Sequence, residues 1–419
     1  MSPTSQDRKL AVGPHTPCTR RVLVAVHTLV YGQRLADLLP LLESDPRIRL
    51  VLSVAPHEFD AGATHFVRAT GRASIPWEEA VRTPFDLALS AGSRGIEQVR
   101  APVVRLPHGA SHIKLARSRD PSGQRAVPGL SRDHLMWDGR VTSRAVVLAH
   151  ERDRQDLARW CPEALPFAKV VGDPFFDRIK DSLPLRAAYR RALGLRSHHR
   201  LVVVNATWRP GPTVDHLRAL LARLRRGVLP PEVKIAVLIH PNVWEGPDGR
   251  HLDGRLAADR NPGIEVIAPE ADWRQLLIAA DLLIGDHGSV SVYGAAAGVP
   301  IALSHFPHAY VNPRSPAAEL ARVVPLLDPA RPPAEQLAEL LAAPSSGHDS
   351  QRYASVVERI TSEPGRFDAN FRRLAYQLLG LGAPDGPPEP SRRPLPLPGA
   401  LSRLSLRPSR SASSGLIRS

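Results

Sequence analysis

With 419 residues, 43% of them hydrophobic, the chain is long enough for two or three domains and can fill their cores, which excludes a wholly disordered protein. No stretch reaches the roughly 18–20 uninterrupted apolar residues of a membrane span, and the leader, with Asp7, Arg8 and Lys9, lacks the apolar run of a signal peptide, so a cytoplasmic protein is expected. The net charge of +14 suits a phosphorylated ligand, an anionic membrane face or nucleic acid, but its scatter and the lack of aromatic–basic interleaving argue against nucleic acid.

After a flexible leader over 1–19, Arg21–Val26 reads as a buried strand, Gln33–Leu42 spaces its leucines helically, and Ile48–Val54 returns to strand character: a βαβ unit. Strands at Phe85–Ser90, Pro102–Leu106, Ala145–Leu148 and Ala168–Val171 continue the series, with a helix over Asp153–Trp160. Cys161 ends that helix; with Cys18 it forms no CxxC and no cluster with histidine, so neither a disulfide framework nor a zinc site is indicated.

The helical connector Leu185–Leu195 and the polar Arg196–Arg200 separate this half from a second one. The second half runs through strands at Leu201–Asn205, Lys234–Ile239, Gly263–Ile267, Leu282–Ile284 and Pro300–Leu303, with helices at Val214–Arg226, Trp273–Ala280 and Val290–Ala297. Two such series predict an α/β protein of two doubly wound, Rossmann-like domains facing a cleft, 20–197 and 198–382, the second finished by closing helices at Tyr353–Ile360 and Phe367–Leu379. One large α/β sheet is the alternative. Beyond Gly382 the chain turns to Pro, Ser and Arg, and 383–419 reads as a disordered tail.

Ligands of open parallel sheets lie beyond the carboxyl ends of the strands, so the residues that follow each strand carry the information. After PVVRL comes His108, a candidate base, with Gly109 allowing close approach of backbone to ligand, and Lys114 nearby. After LVVVN, Thr207 offers a hydroxyl and Arg209 a fork for phosphate oxygens; after KIAVLI, His240 and Asn242 flank a proline that stiffens the turn. Asp286, His287, Gly288 and Ser289 lead into a small-residue helix whose first amides can hold an anion. Taken singly, each has a bland reading as a loop-bonding histidine, a surface arginine or a capping side chain.

Together these residues resemble the CDP-glycerol glycerophosphotransferases that build teichoic-acid polymers, within the GT-B class of two-domain glycosyltransferases. The likeness rests on His108-Gly109 with Lys114, on Gly172 to Asp177 (GDPFFD), on Ala206 to Arg209, on His240 to Asn242 and on Asp286 to Pro300, about half the chain, in the family's order. It implies a GT-B-like fold, and it implies that His108 deprotonates the acceptor hydroxyl with Gly109 beside it. Thr207, Arg209, His240, Asn242, Asp286, His287, Gly288 and Ser289 would hold the donor and its phosphates, Tyr293 would lie near the ribose, and Lys114 and Asp177 in the acceptor region. The implied partners are a CDP- or UDP-activated donor and a hydroxyl-bearing acceptor, lipid-linked ones included, with peripheral contact to an anionic membrane face. No further cofactor and no metal is expected, since no Asp-x-Asp motif stands near these loops.

The chain departs from the family's pattern at three places. The His-Gly loop is one residue longer, with Pro107 where a tryptophan is usual; Tyr293 stands where a carboxylate meets the donor ribose, and Phe175 replaces an arginine. A tyrosine cannot accept two ribose hydrogen bonds as a carboxylate does. Two further functions stay in view: a UDP-sugar glycosyltransferase or 2-epimerase, and a GT-B scaffold that binds without catalysis.

Overall fold

The apolar runs become parallel strands buried on both faces. β1 (Arg20–Val26), β2 (Ile48–Val54), β3 (Leu87–Ser90), β4 (Val103–Arg105), β7 (Ala145–Leu148) and β8 (Ala168–Val170) form one sheet in the order β2-β1-β3-β4-β7-β8, with the short hairpin β5 (Met136–Trp137) and β6 (Arg140–Val141) outside it. The second sheet has the order β11-β10-β9-β12-β13, from β9 (Arg200–Ala206), β10 (Val233–Ile239), β11 (Ile264–Val266), β12 (Leu282–Gly285) and β13 (Ile301–Leu303). All pairs within these two sheets are parallel. This computed structural model describes residues 19–119, 123–208, 213–226, 230–246, 263–342, 351–382 and 393–404.

Strand order reverses direction between β1 and β3 in the first sheet and between β9 and β12 in the second. Such switch points open a crevice at the carboxyl ends of the strands. The loops after β9 and β12, which begin at Thr207 and Asp286, lie at the second of them, which is why these residues meet.

Packing divides the chain differently from its sequence. Helices Pro174–Ser182 and Arg186–Ala192, on the first-domain side of the expected boundary at 197, bury Phe176, Ile179, Tyr189 and Leu193 with Leu201 and Val203 of the second sheet. Helix Phe367–Leu379, expected to close the second domain, packs Phe367, Phe371 and Leu374 beneath the first sheet with Val22, Leu35 and Leu50. The chain therefore crosses near Gly172 (φ 110°) and crosses back after Ile360. Asp177 ties the two crossings together by accepting from the amides of Gly365 and Phe367 (2.7 and 3.0 Å).

The tail also differs from its composition. Within it, 393–404 packs on the body: Leu395 and Leu401 are buried against the second-domain core. Arg393 pairs with Asp368 (2.6 Å), Gln275 donates to the Pro396 carbonyl (2.9 Å), and Ala268 donates to that of Leu404 (2.8 Å). Two spaced leucines supply enough apolar surface to hold a stretch that Pro and Arg make look unfoldable. The rest of 383–419 lies outside the described residues. Among the described residues no helix is long and apolar enough to cross a membrane.

Candidate functional site

A cavity of about 640 Å³ opens between the two sheets, lined from the first half by Tyr31, Arg105 and His108 and from the second by Thr207, His240 and Ser289. The His-Gly loop reaches across it. Leu115 donates to the Tyr310 carbonyl (2.8 Å), Asn312 donates to that of Ile113 (2.7 Å), and Lys114 Nζ donates to the Trp208 carbonyl. The Ala110 amide donates to Ser289 Oγ (3.1 Å). Gly109 allows this, because a Cβ there would stand 2.4 Å from Ser289 Oγ. Loop and serine turn thus touch across the cleft.

His108 presents its ring to the cavity, 4.6 Å from the Tyr31 ring between centroids. Surrounding protein, then the cations Lys114, Arg34 and Arg105 and the neighbouring His112, push its imidazole down to about 3. Water in the open cleft relieves part of the burial penalty, yet the cations act in the same direction. A neutral ring at pH 7 follows.

His240 caps helix Pro241–Glu245, its Nδ1 accepting from the Asn242 amide (3.2 Å). Burial, then Lys114 and His108, hold it well below its ordinary value, so the ring is neutral. With Nδ1 an acceptor, the proton sits on Nε2, and the residue offers the cavity a neutral N–H. Capping therefore occupies Nδ1 alone. Asn242 supplies that amide but is buried and does not line the cavity.

Asp286 is a brace. Its carboxylate accepts from the amides of Thr207 (2.6 Å) and Gly288 (2.8 Å) and so clamps the loop after β9 to the loop after β12. Burial pushes it up to about 6 against those bonds. Both oxygens face backbone donors, so its expected place among the donor ligands becomes a positioning role. Gly288 is the N-cap of helix Ser289–Ala296, and a Cβ there would meet Thr207 Cβ at 2.9 Å. His287 is buried, edge-on to Phe306, and lines the cavity with Thr207 and Gly288. Burial lowers the Lys114 ammonium to about 8, with Asp286 opposing.

Two more expected residues serve elsewhere, and one lies outside the described residues. Asp177 is absent from the cavity wall because its carboxylate caps the returning chain. Tyr293 reaches the wall, but its hydroxyl donates to Asp173 (2.8 Å) and accepts from Arg34 (3.3 Å), inside a buried cluster in which Arg34 also pairs with Asp173 (2.9 Å). Phe175 lies beneath Arg34 and Arg274, whose guanidinium carbons stand 4.7 and 4.1 Å from its ring centre. Arg209 lies outside the described residues.

The wall also holds residues that the sequence reading passed over: Tyr31, His27, His57, Arg105 and His134. His27 directly follows β1, so the strand-end rule applied to the other loops would have found it. Arg105, a lone cation within the apolar run PVVRL, was a second legible signal. Among the described residues no cluster of His, Cys, Asp or Glu has the makings of a metal site.

No family model and no curated protein matches the chain by sequence. Among solved structures, that of the wall teichoic acid polymerase TagF is 11% identical, covering 87% of this chain and 89% of that one, with a TM-score of 0.53. That of S. aureus MnaA, solved with UDP, is 12% identical, covering 86% of this chain and 96% of that one, also at 0.53. At this identity the likeness is one of fold, and the fold is GT-B-like.

Proposed function

We propose that this GT-B-like chain is a transferase that moves a glycerophosphate or similar group from a CDP-activated donor to an acceptor hydroxyl. The observation that carries the reading is a neutral imidazole, His108, facing the same cavity as the first turn of helix Ser289–Ala296. Arg94, Lys114 and Arg117 line the cavity with them against Glu58, the only carboxylate among the described residues that line it. Such a wall favours a diphosphate, and first-turn amides favour its negative oxygens.

In this reaction His108 takes the acceptor's proton while the hydroxyl oxygen attacks the phosphorus that bears the transferred group. The bond from that phosphorus to the bridging oxygen breaks, and CMP leaves with the electron pair. Charge developing on the phosphates meets the helix-end amides, the His240 Nε2–H and the Lys114 ammonium. Thr207 and Ser289 flank them with hydroxyls. A lipid-linked acceptor at the inner face of an anionic membrane is consistent with the net charge of +14.

A UDP-sugar donor is the second reading. It draws on the fold shared with MnaA, solved with UDP; Tyr293, whose hydroxyl is spent on Asp173 and Arg34, supplies no family-type carboxylate to the ribose of either donor and does not separate the two. Thermal-shift titration with CMP, CDP, UMP, UDP and GDP separates the two, since a ligand that binds only the native state raises its melting temperature. A selective CDP or CMP shift is expected. His108→Ala should abolish turnover and keep that shift, whereas His240→Ala should diminish it; equal loss of the shift in both variants, or no shift with any nucleotide, would overturn the assignment.

A further inference from the structure

Among the described residues four arginines are nearly sealed from solvent: Arg34, Arg105, Arg274 and Arg359 are 1, 6, 6 and 2% exposed. Three of them have carboxylates. Arg34 is paired with Asp173, Arg274 with Asp37 and Asp272, and Arg359 with Asp153. Arg105 has none among the described residues; Nη1 donates to the His134 backbone carbonyl. The groups that feel its charge are Tyr31, His27, His108, His112 and His134, all of which burial holds toward the neutral form.

A guanidinium buried among neutral rings is expensive, because it leaves water without gaining an opposite charge. Arg105 nevertheless stays charged at neutral pH, lowered by burial only to about 10. It stands at the end of β4, three residues before His108, and it lines the cavity on the side of the first sheet. Lys114 and His240 meet the second half; the donor reading above uses them and leaves Arg105 without a counter-charge. Tyr31, on the same wall with its ring beside that of His108, adds a phenolic donor.

We infer that Arg105 and Tyr31 form an anion subsite in the first half of the cavity, which holds an anionic oxygen group, phosphate or carboxylate, carried by the acceptor beside the hydroxyl that faces His108. The inference rests on the transferase reading for the word acceptor; the anion subsite itself rests on the unpaired buried cation. It excludes neutral sugars and simple alcohols as good acceptors, since with them Arg105 would stay uncompensated in the closed complex.

The test uses the full chain with its nucleotide site saturated by CDP, and titrates inorganic phosphate, glycerol phosphate and neutral glycerol at matched ionic strength. Wild type should bind glycerol phosphate more tightly than inorganic phosphate, and glycerol not measurably. Arg105→Gln should weaken glycerol phosphate by roughly tenfold or more, the worth of a charge-assisted bond, with Arg105→Lys between the two and CDP affinity unchanged in both. Arg105→Gln without ligand should melt no lower than wild type, because it removes a buried charge and its amide can still donate to the His134 carbonyl. Equal anion binding by wild type and Arg105→Gln, or anion binding that CDP displaces, would overturn the subsite. A chain that holds glycerol phosphate through Arg105 but binds no nucleotide would sink the donor reading and leave the subsite standing; nucleotide binding without anion binding would do the reverse.

Discussion

Gly109→Ala places a methyl group 2.4 Å from Ser289 Oγ and 3.4 Å from Ser289 Cβ. The first separation is untenable and the second is an ordinary contact. Ser289 can relieve the clash by rotating its hydroxyl away, which gives up the bond from the Ala110 amide (3.1 Å); a buried amide that loses its partner costs about 1–3 kcal/mol. The alternative, a shift of the His-Gly loop, costs a similar 1–3 kcal/mol as overpacking. Either route lowers the melting temperature by roughly 2–4 °C per kcal/mol in domains of this size. In a Ser289→Ala background the offending oxygen is gone, and the same glycine substitution should cost less than about 0.5 kcal/mol, so the double-mutant cycle should report a coupling of about 0.5–3 kcal/mol. Melting of wild type, both single variants and the double variant measures it. Additive costs would show that the loop and the serine turn do not touch as described.

Three further outcomes are expected. Arg34→Met leaves the buried Asp173 with the Tyr293 hydroxyl and the Phe176 amide but no cation, and urea unfolding should show a loss of about 3–5 kcal/mol, recovered in part when Asp173→Leu is added, since that change also gives up the cap of helix Pro174–Ser182; no recovery at all would mean that the pair stabilises beyond mutual compensation. Leu395→Ala should lower stability by about 2–5 kcal/mol, since Leu395 is packed in the second-domain core; a neutral result would return 393–404 to the status of an unattached tail. His27, which burial holds down to about 4, is neutral when folded while its unfolded form takes a proton from about pH 6.5 downward. Its contribution is therefore present above pH 6.5 and is lost as pH falls toward 4, so wild type should lose stability relative to His27→Gln across that window. Parallel pH profiles for the two proteins would contradict this.

Strand content was legible because a strand buried on both faces must be continuously apolar, and RVLVAV, LVVVN and KIAVLI are. The strand-end rule also located His108, Thr207, His240 and Ser289 at one cavity, since a parallel sheet carries its loops to one edge. The same rule could not say what those side chains do there. Asp286 reads as a ligand in sequence and is a brace in space, because its partners, the amides of Thr207 and Gly288, include one from a loop 79 residues away. Asp177 lies within a family-like segment, yet its bonds to Gly365 and Phe367 turn it from the cavity.

The sequence by itself determined the α/β class, the two parallel sheets and the set of loops that face the cleft, all of which follow from local periodicity and from the position of polar residues after apolar runs. Only the tertiary structure decided which half each helix near the crossings joins, whether the tail packs, and which buried cations find carboxylates. Those outcomes depend on contacts between residues far apart in the chain. Arg34 and Arg105 each stand directly before a leucine in sequence; one meets Asp173 139 positions away and the other meets no carboxylate among the described residues, a difference no local pattern encodes.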